Sequence, residues 1–224
     1  VPIVAAAILN DLRVGDGTVR PDAECGYRAA AAASAITPSE GNAGAGAGAT
    51  VGKLAGMSRA MKGGIGTASI RRADGLVVGA LIAVNPVGDV IDPSTGRVIA
   101  GVRTEDGDGL ADARALVRQS VASPSSSNTV IGVVATNAGL SKAQATKVAQ
   151  MAHDGLARAI SPAHTPWDGD TIFALATGQE GVEADVLEIG ALAAEAVSEA
   201  ILRAVRAAEG IPGFPSASDL TSSD

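Results

Sequence analysis

The chain has 224 residues, sets 17 Lys and Arg against 24 Asp and Glu for a net charge of -7, and is 46 % hydrophobic but only 2 % aromatic. So apolar a composition excludes a disordered chain. The acidic balance and the scarcity of rings for base stacking argue against nucleic acid as a partner. No apolar run approaches the ~20 residues of a bilayer span, no secretory signal is visible, and the single cysteine, Cys25, fits a reducing cytoplasm.

The chain opens on VPIVAAAIL with no initiator Met, which points to upstream sequence. Val1 to Leu9 read as a strand. After a Gly/Pro loop, Asp22 stands as N-cap of an Ala-rich helix from about Ala23 to Ala35. Residues Gly41 to Lys53, GNAGAGAGATVGK, are too Gly-rich for a helix and read as a strand or loop where backbones approach closely. KGGIGTAS (62–69) reads as a second Gly-rich turn. The apolar run Leu76 to Val84 is a strand covered on both faces, and DPSTG (92–96) joins two short strands as a hairpin.

A short helical patch and the linker Ser123 to Asn128 follow, and at Thr129 the sequence turns abruptly into a strand, TVIGVVAT. Ser141 with Gln144 forms a capping box for a helix to Ile160, with Val148, Ala152, Leu156 and Ala159 as its apolar stripe. TIFALAT (171–177) is a further strand. Asp185 with Glu188 caps a last helix to about Ala208, with Leu192, Val197, Ile201 and Val205 on one face. Apolar strands alternating with helices predict a layered α/β fold.

Several chemistries fail on detail. A P-loop ending at Lys53 needs Gly where Ala47 stands and Ser or Thr where Leu54 stands. The fragment GMSRA lacks the last Gly of a nucleophile elbow, and no Cys/His cluster has zinc spacing. Asn128-Thr129 is more informative. A Thr hydroxyl needs a base, and a Thr freed at its N-terminus carries one in its own α-amine. Taken alone, the dipeptide is first of all a loop-to-strand junction. Asp168 and Asp170, in WDGDT, place two carboxylates at a strand entrance, which also suits a polar turn. Asn85 before Pro86 is an amide donor or a turn opener, and Lys53 is a site cation or a surface charge.

Five stretches taken together change that balance: EGNAGAGAGATVGK (40–53), MKGGIGTAS (61–69), GALIAVNPVGDVID (79–92), NTVIGVVATNA (128–138) and HTPWDGDTIFALATG (164–178). In this order they resemble the P1, or DmpA, family of peptidases (L-aminopeptidase/D-esterase), which also contains the nylon-oligomer hydrolases. The NPVG and DGDT pieces, with Thr as nucleophile, look closer to the nylon-hydrolase branch.

The resemblance implies one αββα sandwich of the N-terminal-nucleophile type over residues 1–224. It implies self-cleavage between Asn128 and Thr129 into an α part, 1–128, and a β part, 129–224. Thr129 would be the nucleophile, Asp168 and Asp170 the acidic pair beside it, Asn85 the oxyanion donor and Lys53 a further site residue. The expected substrate is a peptide or oligo-amide, with no cofactor or metal, in a homotetramer of αβ units. The family's upstream segment with a Gly-Gly-Ser-type motif is absent here, and Asn10 precedes Asp11 where the family commonly has an aromatic residue. Two alternatives stand beside hydrolysis: acyl transfer of the ornithine-acetyltransferase kind, and a non-catalytic oligomeric binding protein.

Overall fold

In chain order the computed structural model, which describes residues 4–120, 128–178 and 182–221, forms α1 (Ala23–Ala31), β1 (Thr50–Val51), β2 (Met61–Lys62), β3 (Gly64–Arg71), β4 (Val77–Val84), β5 (Asp89–Ile91), β6 (Val98–Ala100), α2 (Ala113–Arg118), β7 (Ile131–Thr136), α3 (Lys142–Ala159), β8 (Ile160–Ser161), β9 (Thr171–Ala176), α4 (Val186–Arg206) and α5 (Ala217–Thr221). The expected linker from Ser123 to Ser127 lies outside the described residues.

The main sheet has four strands in the order β3-β4-β7-β9. β3, β4 and β7 pair antiparallel, whereas β7 and β9 run parallel. Parallel neighbours need a crossover connection, and α3 supplies it. Short sheets β6-β5-β8 and β1-β2 flank the main one.

The core lies between the main sheet and the two long helices. Val78, Ala80, Ile82 and Val84 of β4 are buried, while Val77, Gly79 and Leu81 between them are half-buried. The opposing stripe is Val148, Ala152, Leu156 and Ala159 of α3 with Val197, Ile201 and Val205 of α4, all buried. Both predicted capping boxes are present, Ser141 with Gln144 and Asp185 with Glu188. Each satisfies N–H groups that a helix start leaves orphaned, worth about 1 kcal/mol. The hairpin between β5 and β6 also forms as predicted.

Three expectations are corrected. Residues 62–69 are not a turn but mostly strand β3. A Cβ on Gly64 would lie 2.5 Å from the Ala204 carbonyl oxygen, and one on Gly66 would lie 2.1 Å from that of Ala200. The glycines thus let α4 settle onto the strand rather than breaking it. Gly66→Ala is expected to destabilise the fold by about 3 kcal/mol through overpacking, measured as the shift of the urea midpoint. Second, residues 4–9 join no sheet among the described residues, and Val4 and Ile8 remain 84 % and 85 % exposed. An apolar run becomes a strand only where an edge is free to pair with it. Third, α1 starts at its predicted N-cap, Asp22, but ends at Ala31 and buries none of its residues. With no tertiary packing to hold it, an Ala-rich helix is short.

Candidate active site

The β7–β9 register builds the site. Ile131 pairs with Thr171, and the ladder continues backward through a parallel bridge between Asn128 and Asp168. The Asn128-Thr129 peptide therefore lies against Asp168-Gly169-Asp170. The Asn128 N–H donates to the Trp167 carbonyl (2.8 Å), and the Gly169 N–H donates to the Asn128 carbonyl (2.8 Å). The Thr129 hydroxyl also donates to that Asn128 carbonyl. Asn128 and Thr129 are both buried, at 1 % and 7 % exposure. Gly169 leaves room for the nucleophile, since an added Cβ would lie 3.2 Å from Thr129 Oγ1, a tight contact.

The two carboxylates divide their work. Asp168 Oδ1 accepts the Val87 N–H (3.0 Å) and its other oxygen takes the Thr165 hydroxyl, so it ties the turn after Asn85 to the β9 entrance. Asp170 Oδ1 accepts the N–H of Val130, the residue after Thr129, at 2.9 Å. Burial raises the pKa of Asp168 above the usual carboxylate range, against the lowering effect of the Thr165 and Val87 hydrogen bonds.

Asn85 and Lys53 close the other side. Lys53 is 2 % exposed, and its Nζ donates to the Asn85 carbonyl (2.9 Å) and to Asn85 Oδ1 (2.8 Å). The same Asn85 carbonyl accepts the Thr129 N–H at 3.1 Å, so Lys53 and the Thr129 backbone meet on one atom. Thr50 N–H also donates to Asn85 Oδ1 (3.0 Å), and Asn85 Nδ2 donates to the Asn10 carbonyl (3.2 Å). Burial pulls the Lys53 amine down to about 7, partly offset by the charge of Asp168. Lys53 and Asp168 are thus both pushed toward their neutral forms, the expected response of an acid and a base desolvated together.

A second buried lysine supports this wall. Lys62 Nζ donates to the carbonyls of Gly46 (2.6 Å), Ala49 (3.0 Å) and Gly63 (3.0 Å). It fixes the Gly/Ala segment that presents Thr50 to Asn85. Burial lowers its amine to about 8, with Asp11 opposing.

All six residues singled out in the sequence, Lys53, Asn85, Asn128, Thr129, Asp168 and Asp170, come together at one place. The sequence reading did not find the Gly169 N–H, Lys62 or His164, which pairs with Asp170. Backbone donors carry no sequence signature, although the Gly between two Asp residues marks where one could be presented. Among the described residues no group of three or more His, Cys, Asp and Glu is placed to hold a metal ion, and no helix is long and apolar enough to cross a membrane.

Comparison with known proteins bears on the family and the fold. A model of Peptidase family S58 matches residues 1–218. The chain is 44 % identical over 245 residues to an uncharacterized aminopeptidase of Mycobacterium leprae, covering 96 % of this chain and 64 % of that protein. It therefore spans a little under two thirds of that relative's length. It is 30 % identical over 221 residues to a 6-aminohexanoate-oligomer endohydrolase of a Kocuria species, covering 91 % of this chain and 61 % of that protein. Among solved structures, a Burkholderia beta-aminopeptidase superposes with a TM-score of 0.61 at 30 % identity, over 89 % of this chain and 54 % of that one. The L-aminopeptidase D-Ala-esterase/amidase of Ochrobactrum anthropi, described as a variant of the Ntn hydrolase fold, superposes with a TM-score of 0.54 at 21 % identity, over 84 % of this chain and 52 % of that one, which shows a shared fold.

Proposed function

The chain belongs to peptidase family S58, and from that premise we propose that it is a self-processing N-terminal-nucleophile amide hydrolase in which Thr129 is the nucleophile. The observation that carries the reading is the Asn128-Thr129 peptide itself. Its carbonyl is gripped by the Gly169 N–H (2.8 Å) and touched by the Thr129 hydroxyl, beside a buried lysine.

Self-cleavage comes first. While the chain is continuous the Thr129 nitrogen is an amide and is no base, so another group must take the hydroxyl proton. Lys53 suits that role, because an amine lowered to about 7 is substantially neutral at neutral pH. A neutral amine keeps two N–H donors for Asn85 and offers a lone pair. Thr129 Oγ1 then bonds to the Asn128 carbonyl carbon, and the oxyanion that forms is already met by the Gly169 N–H. Collapse breaks the C–N bond, and Lys53 returns the proton to the departing Thr129 nitrogen. Water hydrolyses the resulting ester, releasing Asn128 as a carboxylate.

Turnover reuses the same parts. The freed α-amine of Thr129, with an ordinary pKa of about 7.7–8.0, relays the proton from its own hydroxyl. The vacated Gly169 N–H donates to the substrate carbonyl oxygen. The Asn85 amide, its oxygen anchored by Lys53 and Thr50, adds a second donor. Asp170 holds the strand behind the nucleophile and Asp168 the turn that carries Asn85. The cut separates the residues up to Asn128 from those that start at Thr129, and the resulting αβ units assemble as a homotetramer.

The substrate is a peptide or peptide-like amide. Identity of 44 % to a protein named as an aminopeptidase, against 30 % to an oligo-amide hydrolase, puts aminoacyl amides first. The test is a panel of aminoacyl p-nitroanilides and 6-aminohexanoate oligomers, with and without an added amine acceptor. Water-dependent release of the amine product from the first class is expected. Product that forms only with the acceptor present would make the protein an acyltransferase instead, and no cleavage of any amide by processed chain would refute hydrolysis.

A further inference from the structure

We propose that His164 is a positioning residue of this site: it closes both its backbone and its ring on Asp170, and so sets the carboxylate that holds the nucleophile strand. This rests on the reading of Thr129 as nucleophile.

The geometry is a two-ended tie. Asp170 is buried, its side chain only 5 % exposed. Oδ1 takes the Val130 N–H at 2.9 Å, and Val130 is fully buried immediately after Thr129. Oδ2 takes the His164 N–H at 3.3 Å and His164 Nδ1 at 2.8 Å. If Oδ2 were unbound, the carboxylate would be free to rotate and release Val130. The backbone N–H and the ring of one residue, both on the same oxygen, fix its rotamer.

The backbone at His164 is shaped for this contact. Its φ is +53°, in the left-handed region that a non-glycine residue occupies at a cost of about 1–2 kcal/mol. This turn aims the backbone N–H and the ring at the same oxygen. The groups facing the ring are Asp170, from the β9 entrance, and His153, from α3, whose ring centroid lies 5.0 Å away at an interplanar angle of 55°. Asp168 and Asp154 act on the same group of charges from one step further out. Burial first, and the His164 charge second, lower the His153 pKa and hold that ring toward neutral.

Two variants separate the ring contact from the backbone strain. His164→Gly accepts the left-handed turn and removes the ring donor. His164→Asn tolerates the turn and keeps a side-chain N–H near the position of Nδ1. The first readout is Val130 amide exchange, followed by NMR relative to Val134 of the same strand, in the uncut Thr129→Ala background. His164→Gly is expected to speed Val130 exchange about tenfold and His164→Asn by no more than about threefold. The second readout, with Thr129 intact, is kcat and KM on the aminoacyl amide. His164→Gly is expected to lower kcat about tenfold with KM little changed, and His164→Asn to recover most of it. Unchanged Val130 exchange in His164→Gly overturns the proposal, as does faster exchange with unchanged kcat. Failure of the Thr129 assignment would be seen separately, as cleavage at 128–129 persisting in the Thr129→Ala background by intact mass.

Discussion

Thr129→Ala leaves the chain whole and inactive. Its Oγ1 is the atom that forms both the self-cleavage ester and the acyl-enzyme, and no neighbouring hydroxyl replaces it: the Thr165 hydroxyl is taken by Asp168 and the Thr50 hydroxyl faces Asn85 Oδ1. Loss of a nucleophile costs at least about 10³-fold, so the band at 128–129 and the amide turnover should both vanish. The fold should persist, because the Thr129 hydroxyl binds only the Asn128 carbonyl, a loss of about 1 kcal/mol. Thr129→Ser keeps an oxygen at the same place and should still cut itself. The readout is gel and intact-mass analysis beside a thermal melt. An alanine variant that cuts at the same bond would transfer the nucleophile's role elsewhere.

Lys53→Met removes the proposed base and should slow self-cleavage by about 10²–10⁴-fold. The parent's pH profile tests the same point with its sign fixed. A base of pKa about 7 works only when deprotonated, so the self-cleavage rate should rise about tenfold per pH unit below 7 and level off above it. A rate that falls above pH 7 would mean that Lys53 acts as a cation instead. Stability carries the mirror signal. Unfolded Lys53 holds its proton to about 10.4, whereas the folded chain releases it near 7. Between these values the unfolded state binds more protons, so folding stability rises with pH, by up to about 1.4 kcal/mol per unit. Lys53→Met lacks this slope. Its stability deficit relative to the parent should therefore widen from pH 7 to pH 9, as read by urea midpoints at each pH.

What the sequence revealed of this molecule follows from which forces are local. The capping boxes at Ser141 and Asp185 and the stripes of α3 and α4 are set by neighbours three and four residues apart, and they were legible. The hairpin around DPSTG was legible for the same reason. Gly64 and Gly66 misled because glycine reads as punctuation locally, while their purpose is the approach of α4, more than a hundred residues later. Val4 and Ile8 misled because an apolar run says nothing about whether an edge awaits it. At the site, the side chains that bear chemistry stood out by type and family order. The Gly169 N–H, the second grip of His164 on Asp170 and the three carbonyls under Lys62 did not. They exist only once β7 and β9 lie parallel in the register that sets Ile131 opposite Thr171.

The central claim is that the bond before Thr129 is cut by Thr129 itself. The direct measurement is intact mass with N-terminal sequencing of the purified protein, followed over time at pH 8. The account predicts a fragment that begins at Thr129, appearing at a rate independent of protein concentration, with its partner ending at Asn128. A chain that stays uncut, or a new N-terminus at any residue other than Thr129, would contradict it.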